Sequence, residues 1–190
     1  MFSRRNFFNK PLKILLITNA LILLAAAMLG PIYSLFVEEI GGSLLDASLA
    51  GGIFALTAGI VTLISGKYSD KVKENELIVV LGYVFMGIGF LLYTVVNSIW
   101  FLFLVQVIIG LGEAIYSPAF DAVYSKHLTK RKSGKQWGIY EAATYFTAAI
   151  GAVIGGFIVT YLGFNVIFVL MGVLCLGSAL YIYQLPRKAL

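Results

Sequence analysis

The sequence predicts an all-α membrane protein that crosses the bilayer six times, with both termini in the cytoplasm. Of its 190 residues, 60% are hydrophobic and 12% are charged, and its mean hydropathy of +0.93 is not that of a water-soluble domain. The sequence shows no period-two alternation of apolar and polar residues, which membrane strands would require. Six apolar runs, each long enough for a helix to cross about 30 Å of hydrocarbon, occupy residues 14–36, 45–65, 77–96, 99–124, 137–161 and 165–185.

The basic residues set the predicted orientation. All fourteen lysines and arginines lie before the first run, after the last run, or in the second and fourth gaps. Basic residues near helix ends are retained on the cytoplasmic side of a membrane. The gaps that contain Lys67 and Lys130 are therefore predicted to be cytoplasmic, as are both termini. This distribution also accounts for the net charge of +5, so we expect no nucleic-acid partner.

The first run raises the question of a cleaved signal peptide, because a basic stretch precedes it and Ala25-Ala26-Ala27 lies within it. Its apolar stretch continues through Pro31 and Tyr33 to Val37, well past the usual length of such a signal. We therefore interpret this run as a retained helix. In the second helix, Asp46 is the predicted N-cap.

The later helices are joined by very short turns at Asn97-Ser98 and Gly163-Phe164-Asn165, which force the helices on either side to be antiparallel. Polar residues are rare in the third and sixth helices and concentrate in the other four. Polar side chains in membrane helices face protein or water and not lipid. We therefore expect helices three and six to be peripheral, with helices one, two, four and five lining an interior.

One face of the fourth helix carries the strongest candidates for a binding site. Glu113, Tyr116, Ser117 and Asp121 recur along it at steps of three and four residues. Glu113 falls close to the bilayer centre, where an ionised carboxylate is costly unless it is paired, hydrated or protonated. Two interpretations stay open. Glu113 binds a cation or a coupling proton, or it is a neutral side chain that is hydrogen-bonded between helices.

Further polar residues complete the candidate site. Glu141 and Thr144 of the fifth helix, and Asn19 of the first, join Glu113 as candidate substrate- or proton-binding residues. Asp121 and Glu141 lie about one turn inside the cytoplasmic ends of their helices. A gate-like charge network and an anchoring salt bridge to a nearby lysine are both compatible with that position.

Glycines on the fourth and fifth helices have a packing interpretation. Small residues at such spacings permit close approach between membrane helices. A hinge between moving helices is the alternative. The glycines concerned are Gly110, Gly112, Gly151, Gly155 and Gly156.

The sequence lacks the residue sets of an enzyme or a metal centre. Its single cysteine, Cys175, lies in an apolar run, and its single histidine, His127, lies in a basic loop. Neither supports a disulfide framework or a zinc site. No phosphate-cradling glycine loop and no nucleophile–base set is present. We expect no metal, no cofactor and no enzymatic activity.

The loop after the second helix resembles a motif of the major facilitator superfamily of transporters. That family carries G-x-x-x-D-[RK]-x-G-[RK] between its second and third helices. Gly66, Asp70 and Lys71 match this pattern, whereas Lys73 and Glu74 depart from it.

Two more stretches are similar to motifs of the same family. The fourth helix resembles the pattern R-x-x-x-G-x-G at Gly110 and Gly112, with Gln106 in place of the arginine. The fifth helix, over residues 151–156, is similar to the antiporter signature G-P-x-x-G-G, with Ala152 in place of its proline. These motifs lie on the corresponding helices and together cover almost the whole chain.

The resemblance implies a single bundle over residues 1–190, built from two three-helix repeats and equivalent to the N-terminal half of a major facilitator fold. It also implies alternating access around a site near the bilayer midplane. The cytoplasmic gate motif would comprise Gly66, Asp70, Lys71 and Asp121. Because the family has two such bundles, a second one is expected as a partner. It would be a second copy of this chain, a separately encoded half, or the rest of a longer chain.

The expected function is secondary active transport of a small solute, coupled to protons, across a cell membrane. A bacterial inner membrane is the expected location, and membrane lipid, the solute and the second bundle are the expected partners. The alternative is a non-transporting scaffold subunit or an inactive fragment of a full-length transporter.

Overall fold

The structure is a computed structural model that describes residues 9–186 and 190. Among these residues it contains helices and no strand, and six spans are long and apolar enough to cross a membrane. The predicted all-α class and number of spans are confirmed. The basic residues Arg4, Arg5, Arg187 and Lys188, on which part of the predicted orientation rests, lie outside the described residues.

The helices extend the predicted runs by a few residues at most ends. The first span consists of α1 (Lys10–Leu29), a 3₁₀ turn (Gly30–Ile32) and α2 (Tyr33–Glu39). The other spans are α3 (Leu44–Ser69), α4 (Asn75–Leu92) with a 3₁₀ turn (Tyr93–Val95), α5 (Ile99–Lys126), α6 (Ser133–Leu162) and α7 (Phe164–Gln184).

Local chemistry fixes where helices begin and end, and it corrects one prediction. Ser43, and not Asp46, is the N-cap of α3, and Asp46 is the third residue of a capping box. The Ser43 backbone N–H donates to Asp46 Oδ2 at 2.8 Å, and the Asp46 N–H donates to Ser43 Oγ at 3.3 Å. At the other end of the chain, Gly163 has φ of 81°, which lets one residue separate α6 from α7.

The bundle consists of two three-helix repeats. The first runs from α1 to α4, with α1 and α2 together as its first helix, and the second runs from α5 to α7. The second helix of each repeat packs on the first helix of the other, since α3 contacts α5 and α6 contacts α1. The third helices, α4 and α7, contact each other, and each also contacts the first helix of the opposite repeat. This reciprocal exchange holds the two repeats together as one bundle.

The expected division into lining and peripheral helices stays a prediction, because it concerns an interior that a second bundle completes, and burial inside this chain divides the spans differently. In the apolar windows of α4 and α7, 44% of the residues are buried, compared with 11% in α3 and α6. The first and fourth spans, at 50% and 44%, are packed to a similar extent as α4 and α7. Within this chain the second and fifth spans, α3 and α6, are therefore the most exposed.

Four of the five glycines singled out from the sequence lie where helices approach closely. A Cβ on Gly110 would meet backbone of α3, and one on Gly112 would meet backbone of α4. A Cβ on Gly151 or Gly155 would meet backbone of α1. Nothing lies within 4 Å of the corresponding point on Gly156, so that glycine makes no close approach among the described residues.

A proline within α5 creates a contact between the second and fourth spans. Pro118 has no N–H, so it cannot donate to the carbonyl of Ala114 one turn earlier. The Ser65 hydroxyl of α3 donates to that carbonyl instead. A backbone group that would be unsatisfied in lipid is thereby paired, and the pairing ties α3 to α5.

Candidate functional site

A cavity of about 250 Å³ lies at the inner face of the first and fourth spans. Its walls are mainly apolar, and they include two phenyl rings and two methionines. Three polar side chains reach it, those of Tyr33, Gln106 and Glu113, and no lysine or arginine of the described residues lines it. The apolar residues that line it are Ala26, Leu29, Gly30, Phe54, Met86, Phe90, Ile109 and Met171.

Glu113 is the one carboxylate of this cavity, and its side chain is half-buried. The Tyr116 side chain lies one turn further along α5, within electrostatic range of Glu113. The Tyr116 ring lies 5.0 Å from that of Tyr83 in α4, measured between centroids. Both tyrosines are buried, so one wall of the Glu113 environment is fixed by packing between α4 and α5.

Asn19 of α1 is almost fully buried and connects three helices. Its Oδ1 accepts a hydrogen bond from the Tyr83 hydroxyl at 3.2 Å. Its Nδ2 donates to the Tyr140 hydroxyl of α6 over a longer 3.5 Å. Through Tyr83, which also packs on Tyr116, the amide of Asn19 reaches the surroundings of Glu113.

Gln106 is held at the other end of the cavity by two tyrosines. Its Nε2 donates to the Tyr33 hydroxyl at 2.6 Å and to the Tyr93 hydroxyl at 2.9 Å. The side chain is 6% exposed, and Tyr93 is packed against Phe36 and Phe168. These contacts fix the amide in one orientation, with both of its N–H groups occupied.

The other candidate binding residues do not line the cavity. Ser117 is half-buried on α5, and the Thr144 hydroxyl donates to the Tyr140 carbonyl of its own helix at 3.2 Å. Glu141 is exposed and lies within electrostatic range of Asp121, which is also exposed. Of the sequence candidates, Glu113, Tyr116 and Asn19 are therefore brought into one connected region, and Ser117, Thr144 and Glu141 are not.

The loop with the gate motif is organised by residues that its sequence pattern did not indicate. Gly66 lies in the last turn of α3, where its carbonyl accepts from the Asp70 N–H at 3.2 Å. Asp70 and Lys71 are exposed, and no ion pair joins them to Asp121 among the described residues. Two buried residues close the loop, as the Ser69 hydroxyl donates to Asn75 Oδ1 at 3.3 Å.

Within the described part of the chain, no group of three or more His, Cys, Asp or Glu residues is placed to hold a metal ion. The single cysteine is buried in α7. The His127 ring Nδ1 lies 2.8 Å from the Val123 carbonyl, and the His127 carbonyl accepts a hydrogen bond from Asn9 Nδ2 at 3.0 Å.

Several residues at the site were not identified from the sequence. Tyr33, Tyr83 and Tyr93 stand in apolar runs and supply hydroxyl groups to Gln106 and Asn19. A tyrosine deep in a membrane helix needs a partner for its hydroxyl, and that requirement is the signal that points to them.

Comparison with known proteins identifies the family. The sequence model of the Major Facilitator Superfamily matches residues 15–189. An MFS-type transporter of Methanocaldococcus jannaschii is 25% identical over 176 residues, which are 93% of this chain and 45% of that protein. Multidrug resistance protein MdtG of Salmonella schwarzengrund is 22% identical over 178 residues, covering 92% of this chain and 44% of that protein.

A third relative, multidrug resistance protein MdtH of Yersinia pestis, is 27% identical over 148 residues, or 77% of this chain and 37% of that protein. The chain thus spans less than half the length of the curated relatives it matches. With its six apolar helices and a family match along most of its length, the chain belongs to the major facilitator superfamily of membrane transporters, and it corresponds to an N-terminal half.

Proposed function

We propose that the chain is half of a secondary transporter that moves a small solute by alternating access and is coupled to protons through Glu113. The observation that carries this proposal is the position of Glu113 on the wall of an apolar cavity that contains no basic side chain. A carboxylate in such surroundings is stabilised either by a proton or by a cationic ligand. Alternate occupancy by proton and solute would couple their movements.

The neighbours of Glu113 support this role. Tyr116 lies within electrostatic range of the carboxyl group, and Tyr83 and Asn19 extend the polar contacts from there to α1 and α6. Because α1 and α6 belong to different repeats, a change in the charge of Glu113 would be felt at a contact between the two repeats. We propose that this contact makes helix packing sensitive to protonation.

The test is solute flux in proteoliposomes, measured with a panel of radiolabelled small solutes and with a pH-sensitive dye inside the vesicles. We expect uptake that depends on an imposed pH gradient, and we expect Glu113→Gln to remove that dependence because an amide carries no titrating proton. Glu38→Gln is the control, since Glu38 is exposed and distant from the cavity lining. Unchanged pH dependence in Glu113→Gln would reject the proton role.

We further propose that a second six-helix bundle covers the exposed faces of α3 and α6. These helices carry large exposed side chains, among them Leu63 at 75%, Tyr145 at 74% and Val153 at 74%. The relatives, which are about twice as long, support a partner of similar size. A second copy, a separate half and the rest of a longer chain remain the candidates. Native mass spectrometry from lipid nanodiscs distinguishes them, and a persistent monomer would exclude the second copy.

A further inference from the structure

Gln106 and Glu113 form two polar ends of the same cavity, with apolar walls between them. They are seven residues apart on α5, which is nearly two helical turns, so they project from one face at a separation of about 10 Å along the axis. Ile109 occupies the wall between them. The cavity therefore presents a carboxylate at one end and a primary amide at the other.

The amide offers the cavity an acceptor. Both hydrogen bonds of Gln106 are donated by Nε2, and its Oε1 has no hydrogen bond to any described residue. The only enclosed side-chain nitrogen or oxygen without a partner in the described part of the chain is Ser178 Oγ. Gln106 Oε1 is thus unpartnered but not sealed off, and Gln106 lines the cavity.

This arrangement excludes some classes of ligand. Anions are disfavoured because Glu113 is the nearest charge and no lysine or arginine lines the cavity. Sugars and other polyhydroxyl compounds are disfavoured because three polar side chains are too few to satisfy their hydroxyl groups, and each buried group left unpaired costs about 1–3 kcal/mol.

We propose that Gln106 is a specificity-determining residue, whose Oε1 accepts a hydrogen bond from an O–H or N–H donor at the far end of an organic cation bound at Glu113. The proposal rests on the proposed transport function and names its substrate class. A charge contact and a hydrogen bond take up about 4 Å and about 3 Å at the two ends. A flexible chain of two or three carbons between the cationic and donor groups spans the remaining distance of about 3 Å.

The two tyrosines make this recognition specific. Tyr33 and Tyr93 hold the amide so that a ligand meets the carbonyl and not the N–H groups. A cation without a donor would leave the Gln106 carbonyl unpaired in a closed site, which costs affinity. A residue with a positive charge at this position would instead repel the ligand.

The experiment measures equilibrium binding of radiolabelled cations to the full chain in lipid nanodiscs. The probes are propyltrimethylammonium, its derivative with a terminal hydroxyl group, and 1,3-bis(trimethylammonio)propane, which carries two positive charges. We expect the hydroxyl derivative to bind about 5- to 10-fold more tightly than propyltrimethylammonium, as one hydrogen bond predicts. Gln106→Met should abolish that difference, whereas the control Gln184→Met, at an exposed position outside the cavity lining, should retain it.

A variant that is expected to gain affinity separates a specific effect from misfolding, because a misfolded protein does not bind a ligand more tightly. In Gln106→Glu, the second carboxylate should favour the doubly charged probe. That probe should bind this variant about 10-fold more tightly than it binds the unaltered chain. Equal affinity of the two singly charged probes for the unaltered chain, or no gain for the doubly charged probe in Gln106→Glu, would overturn the inference.

The outcome is separable from that of the proposed function. If none of the three cations binds while proton-coupled flux of another solute depends on Glu113, the inference fails and the proposed function stands. If the hydroxyl derivative binds as expected but no proton-coupled flux occurs, the proposed coupling fails and the assignment of Gln106 stands.

Discussion

The Ser65 hydroxyl of α3 donates a hydrogen bond to the Ala114 carbonyl of α5. That carbonyl is available because the residue four positions later is Pro118, which has no N–H to offer. The contact lies one residue from Glu113, so the backbone next to the central carboxylate depends on a side chain from the neighbouring helix. The neighbouring helix α3 thus supplies a hydrogen bond that α5 cannot form along its own length.

We predict that the Ser65–Ala114 hydrogen bond stabilises the bundle by about 1 kcal/mol, and that its contribution depends on Pro118. Ser65→Ala should lower the melting temperature in detergent, followed by tryptophan fluorescence. Pro118→Ala restores an N–H that can bond the Ala114 carbonyl within the helix. Ser65→Ala should therefore cost less in the Pro118→Ala background than in the unaltered chain.

Ser48→Ala is the matched control for this cycle. The Ser48 hydroxyl is exposed and donates to the Leu44 carbonyl of its own helix at 3.0 Å, so its loss should leave the melting temperature nearly unchanged. Equal effects of Ser65→Ala in both backgrounds would contradict the role that we assign to the proline.

Tyr83→Phe should destabilise the contact between α1 and α4, which belong to the same repeat, by about 1 kcal/mol. The substitution removes the hydroxyl that donates to Asn19 Oδ1 and leaves a buried acceptor unpaired, while the ring can still pack on Tyr116. Thermal unfolding in lipid nanodiscs measures the loss. Tyr145→Phe is the control, because the Tyr145 side chain is 74% exposed. A melting temperature that falls equally in both variants would contradict the prediction.

Gly155→Ala and Gly156→Ala should have opposite outcomes although the residues are adjacent. A Cβ on Gly155 would overlap the Met28 carbonyl oxygen, so α1 and α6 would have to separate, at a cost of about 1–3 kcal/mol. A Cβ on Gly156 meets nothing within 4 Å. Size-exclusion chromatography after a heating series should show early loss of the folded Gly155→Ala variant, whereas survival of both variants to the same temperature would argue against close packing at Gly155.

The predicted orientation can be tested with single cysteines in a Cys175→Ser background. Asn97→Cys lies in an exposed turn without basic residues, and Lys130→Cys lies in the basic loop between α5 and α6. A membrane-impermeant maleimide added to intact cells should label Asn97→Cys and should label Lys130→Cys only after lysis. Labelling of Lys130→Cys in intact cells would reverse the orientation.

The six spans were predictable because membrane insertion depends on the local sequence. A run of about 20 apolar residues is helical in lipid whatever its neighbours are, since its backbone must bond internally. The departures are local ones. Ser43 caps α3 because its hydroxyl and the Asp46 carboxylate satisfy each other's backbone N–H groups, whereas the carboxylate alone suggested Asp46.

The candidate site was predictable only in part. Glu113 stood out because a lone carboxylate at mid-membrane is costly, and Gln106 stood out as a departure from a family motif. The partners of Gln106 come from two other stretches of the chain. Tyr33 precedes it by 73 residues, and Tyr93 precedes it by 13 residues. No periodicity along one helix reveals such pairs.

The sequence by itself determined the number of spans, the short turns, the family and the position of one carboxylate within an apolar span, because each of these depends on hydropathy or on a contiguous motif. The tertiary structure alone decided which helices pack together, so that α4 and α7 are covered and α3 and α6 are exposed. It also decided that Gln106 and Glu113 line the same apolar cavity together with residues of other spans. These features depend on contacts between distant segments, which follow from the shapes of whole helix faces and not from any local pattern.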